Sequence, residues 1–237
     1  FWADNNNVDP SNAHQLVSID QWGNIQWQNM FRAFNNALFM KYNAADAPDL
    51  SNCTNLSRMF VNCLQFDENT DLSTWDVSNV EAFSNMFLNT PNFNGNVDNW
   101  TLTNAKDLSG MFQAARKFNR DISGWNVSGV TTMRAMFHTA TSFNQDIGDW
   151  NISSLTNTID MFLDATSFNQ DISTWERTSP DVSTFGNVRF TRSMFAGATA
   201  FNQDVSNWDV STVQSMGGMF FNATSFDQDL GSWDLSG

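Results

Sequence analysis

The chain has 237 residues, 41% of them hydrophobic, and a formal net charge of -14. That length buries a sizeable core, and that apolar fraction excludes a disordered chain. The excess of acid disfavours nucleic acid as a partner, and no run of roughly 18 apolar residues supplies a transmembrane segment.

The apolar residues are of an unusual kind: 22 Phe, 10 Trp and 11 Met against one Tyr. Residues 1–47 carry no copy of the repeat described below and are predicted to form an N-terminal cap. There Trp22, Trp27, Phe31 and Phe34 would close off the first turn. The chain opens on "FWADNNN" with no visible signal peptide. Next come Cys53 and Cys63, with neither CxxC nor zinc spacing. They are expected to be small buried side chains, a disulfide being the alternative in an exported chain.

From residue 48 to 237 the chain repeats itself about seven times. Tryptophans fall at 75, 100, 125, 150, 175, 208 and 233, and Met-Phe pairs begin at 59, 86, 111, 136, 161, 194 and 219. The common step is 25 residues. One step is 33, because eight extra residues stand between Trp175 and Met194, around Glu176 to Thr184.

In one copy, Val130, Met133, Met136, Phe137, Ala140 and Phe143 recur at steps of three or four, which predicts a short helix with one apolar face. Ser128 stands where an N-cap belongs, as do Ser78, Thr103, Ser153 and Ser211. Glu81 and Gln214 add capping-box spacing. After the polar turn, Ile147, Trp150 and Ile152 predict a short strand. The expected fold is therefore an α/β solenoid of 25-residue turns, each a short helix plus a short parallel β-strand, stabilised by stacking. The last copy stops at "GSWDLSG" without a polar cap. Either further chain or a partner should cover that turn, and further chain is the expectation.

Candidate sites follow from what repeats and what does not. Asp121, Asp146, Asp171, Asp204 and Asp229 form a column preceded by Asn119, Asn144, Asn169, Asn202 and Asp227. These side chains are expected to cap backbone N–H groups at a turn. Calcium is the lesser alternative, with Asp121, Asp146, Asp171 and Asp204 as its ligands; no other cofactor is expected. The evenly spaced Trp residues read as packing rather than as a sugar-stacking surface. His14 and His138 stand beside no nucleophile motif, so no catalytic residue is assigned and no enzyme activity is expected. A binding site needs local difference. That directs attention to the insertion, to Glu176, Arg177, Arg189 and Arg192, and to a second basic group, Arg116, Lys117, Arg120 and Arg134. Either group suits an anionic glycan or an acidic protein partner.

The repeat "VTTMRAMFHTATSFNQDI" resembles those of the BspA-like leucine-rich-repeat surface proteins, as do the opening segments "IDQWGNIQWQNMF" and "ADAPDLSNCTNLSRMF". The resemblance covers about residues 15 to 237. It implies a leucine-rich-repeat-like array on an exported, cell-surface bacterial protein, an adhesin or ligand-binding scaffold for protein or glycan. The alternative is a structural accessory subunit of a bacterial outer-envelope complex.

Overall fold

A computed structural model describes residues 15–176 and 185–236. Among these there is no α-helix. The named elements are β1 (Ser18–Ile19), β2 (Lys41–Tyr42), which pair in parallel, and short 3-10 helices at Ser173–Glu176 and Phe185–Asn187. The helix expected in each repeat is replaced by a run of tight turns. Met136 N–H donates to Met133 O at 3.1 Å, Ala140 to Phe137 at 2.9 Å and Phe143 to Ala140 at 3.0 Å. A chain of three-residue reversals places its inward side chains three or four apart, so its apolar spacing mimics that of a helix.

Left-handed residues break the helical path. Ala135 and Thr139 have φ of 55° and 59°, and the matching positions Asn85, Asn89, Gly110, Ala114, Asp160, Asp164, Ser193 and Gly197 are also positive. An L residue costs roughly 1–2 kcal/mol in this region, least for Asn and Asp, and glycine escapes the penalty. Turn-to-turn hydrogen bonds offset that cost. Leu56, Arg58, Phe60 and Asn62 donate their N–H groups to Ala82, Ser84, Met86 and Leu88 at 2.8–2.9 Å, and the pattern recurs in the following copies.

Parallel pairing runs through the span expected to be helical. Asn55, Ala82, Asp107, Thr132, Asn157, Phe190 and Ser215 are bridged in succession. The stretch around Ile147–Ile152, expected as strand, is a turn closed by Trp150 N–H on Ile147 O at 3.2 Å. Ser128 caps no helix: both its N–H and its hydroxyl bond Asn126 Oδ1.

Side chains form ladders inside the turns. Phe112, Phe137, Phe162 and Phe195 stack at 5.5–5.9 Å between centroids. Beside them Phe118, Phe143, Phe168 and Phe201 stack at 5.9–6.0 Å. The indoles of the Trp column are buried from Trp75 to Trp208 and half-buried at Trp233, and each finds a partner for its N–H, as a buried Trp requires. Trp125, Trp150 and Trp175 donate to Val97 O, Ile122 O and Ile147 O at 2.9–3.1 Å. Trp22 and Trp75 both donate to the Tyr42 hydroxyl, tying the N-terminal residues to the array.

The predicted cap contains a further copy of the turn that sequence spacing concealed. Arg32 and Asn36 have positive φ, and Phe34 stacks on Phe60 at 5.6 Å with 10° between the rings. Ala33-Phe34 thus stands where later copies have Met-Phe. That register leaves Phe31, expected to close the cap, 44% exposed.

Candidate binding face

The repeated polar columns are occupied in holding the backbone. Oδ1 of Asp121, Asp146, Asp171, Asp204 and Asp229 accepts the N–H two residues on at 2.8–3.0 Å. Oδ1 of Asn94, Asn119, Asn144 and Asn169 accepts the N–H of the equivalent residue in the next turn, each at 2.9 Å. Among the described residues no three His, Cys, Asp or Glu side chains gather where a metal ion could be held. Asn144→Ala should remove the turn-to-turn bond to the Asn169 N–H and lower stability by about 0.5–1.5 kcal/mol, read from a urea midpoint.

Hydrogen bonds from serine hold the carboxyls of Asp76, Asp121 and Asp204 below the ordinary Asp value. A depressed folded value contributes stability above the unfolded pKa and loses it as pH falls through the folded one. Asp98 acts oppositely: burial raises its pKa, and its Oδ1 is buried without a partner. The lowered carboxyls outnumber it, so the thermal midpoint should be flat near neutrality and fall below about pH 4.

Both cysteines are free and buried, and burial pushes the Cys63 thiol well above its ordinary range. His138 lies beside Gln113, with Nδ1 3.2 Å from the amide nitrogen. His14 and Arg177 lie outside the described residues. Glu176 ends the 3-10 helix begun at Ser173.

The structure regroups the expected basic residues. Arg116 and Lys117 are exposed at one turn, and Arg120 is tied by its Nε to Asn94 O at 2.8 Å. Arg134 sits in a different column, its carbonyl accepting the Gly110 N–H. The carbonyl of Arg192 accepts the Asp160 N–H in the same way, so Arg134 and Arg192 share that column. Arg189 is held by Gly186 O at 2.7 Å.

The column of Arg134 and Arg192 belongs to the face carrying the backbone ladder. Its side chains change from turn to turn. One column reads Ser84, Ser109, Arg134, Ile159, Arg192; a second reads Ala82, Asp107, Thr132, Asn157, Phe190; a third reads Leu88, Gln113, His138, Leu163, Ala196. Sequence reasoning missed this face because a helix would have turned those positions to different sides. Variation in columns flanked by invariant Met and Phe was the signal that could have found it.

A family model described as Mycoplasma protein of unknown function, DUF285, matches the chain at residues 7–115, 96–184 and 181–237. Neither the curated proteins nor the solved structures gave a match.

Proposed function

This chain belongs to that repeat family, DUF285, and from that premise we propose that it is a non-enzymatic extracellular solenoid, a cell-surface adhesin or ligand-binding scaffold. One observation carries the reading. The inward positions and polar columns repeat because they hold turn to turn, while the ladder-bearing face keeps its backbone and changes its side chains. A rigid backbone with variable outward groups is what selective binding by shape requires. The finer likeness to BspA-like leucine-rich-repeat surface proteins is part of the proposal and supplies its cell-surface placement.

A glycan array and a pull-down with the purified chain test the reading. A ligand should be retained by the chain and lost on substituting Arg134, Ile159 and Arg192 together. It should survive substitution of Asp146 and Asp171 to Asn. A ligand that ignores the first change and depends on the second would overturn the assignment of the face.

A further inference from the structure

One patch of the laddered face combines charge with exposed apolar surface. Thr132 bridges to Asn157, and Asn157 to Phe190. In the neighbouring column the carbonyls of Arg134, Ile159 and Arg192 accept the N–H groups of Gly110, Ala135 and Asp160, so these three occupy one position in successive turns. Strand-like spacing of about 5 Å per turn puts the two arginine backbones about 10 Å apart.

The Arg134 side chain is 57% exposed, and its one ion pair among the described residues is a long 4.0 Å contact with Asp160. Arg192 is exposed, and its guanidinium has no hydrogen bond or ion pair among the described residues. Between and beside them stand half-buried Ile159 and exposed Phe190. In a chain of net charge -14, two exposed arginines here adjoin apolar surface.

Building on the laddered face as the binding face, we propose that this patch takes an extended acidic segment of a partner polypeptide lying along the axis of the array. Its carboxylates meet Arg134 and Arg192, each offering a planar fork suited to a carboxylate. An extended chain of the polyproline type rises about 3.1 Å per residue with three residues per turn, so acids three residues apart lie on one side and span the two arginines. Apolar side chains between those acids cover Ile159 and Phe190. A sulfated glycan would satisfy the guanidinium groups but leave those two side chains uncovered.

The test uses the full chain and fluorescence anisotropy with a labelled peptide containing Glu-Leu-Val-Glu, its Gln-Leu-Val-Gln analogue, and a heparin oligosaccharide. The acidic peptide should bind at least tenfold more tightly than the analogue. Arg134→Gln and Arg192→Gln should each weaken it about tenfold, with an unchanged thermal midpoint. An Arg116→Gln/Lys117→Gln pair should leave it unaltered. Equal binding of the two peptides, or none below about 1 mM, overturns the proposal. So does a comparable loss in the Arg116/Lys117 pair, or preference for heparin with the same arginine dependence. Equal peptide binding that is lost on Ile159→Asp would keep the laddered face and remove only its acidic partner.

Discussion

Replacing Phe143 by alanine is expected to lower stability by about 3–5 kcal/mol. The ring is fully buried. It stacks on Phe118 at 6.0 Å and Phe168 at 5.9 Å, and lies 3.8 Å from Phe137 in its own turn. Truncation therefore opens a cavity against three aromatic neighbours that are themselves pinned by stacking. Phe143 stacks on one ring in each of the two neighbouring copies, so the loss falls on two interfaces at once. Phe226, partly exposed and stacked on Phe201, should cost less when truncated. Urea unfolding of the two variants gives the comparison, and an unchanged midpoint for Phe143→Ala would contradict the stacked aromatic core.

Gly95→Ala should be nearly as damaging for a steric reason. A Cβ at Gly95 would run into the Thr70 carbonyl oxygen and sit 2.6 Å from the Phe93 ring. That carbonyl is not free to move, because it accepts the Asn96 N–H at 3.1 Å. Overpacking of this sort costs about 1–3 kcal/mol, and the backbone obstacle places this site at the upper end. Gly124 is the control: nothing lies within 4 Å of a Cβ there. Gly124→Ala should leave the midpoint unchanged or raise it slightly by restricting the unfolded chain.

Much of the core was legible in the sequence. The Met-Phe and Trp columns marked the buried side chains, since a repeat that cannot bury its faces alone must stack them. Local geometry was not legible. Met133, Met136, Phe137 and Ala140 have helical spacing, yet left-handed Ala135 and Thr139 wind them into tight turns. Side-chain type gave little warning, because alanine and threonine rarely adopt that conformation. Where Asn85 and Asn89 or Gly110 occupy the same columns, the residue type does favour that conformation. The Asp and Asn columns were anticipated as backbone caps, and the observed bonds have that form. The laddered face was hidden by the helix assignment, and Arg134 was grouped with Arg116 by nearness in sequence rather than by column.

Where a ligand sits is tested most directly by photo-cross-linking. A benzophenone side chain would replace Ile159 on the laddered face in one variant, and exposed Asp149, roughly half a repeat away, in another. With the ligand recovered from the array or pull-down, the expected result is a covalent adduct from position 159 and none from 149. An adduct from 149 alone would place the ligand off the laddered face and contradict the assignment of binding to that face.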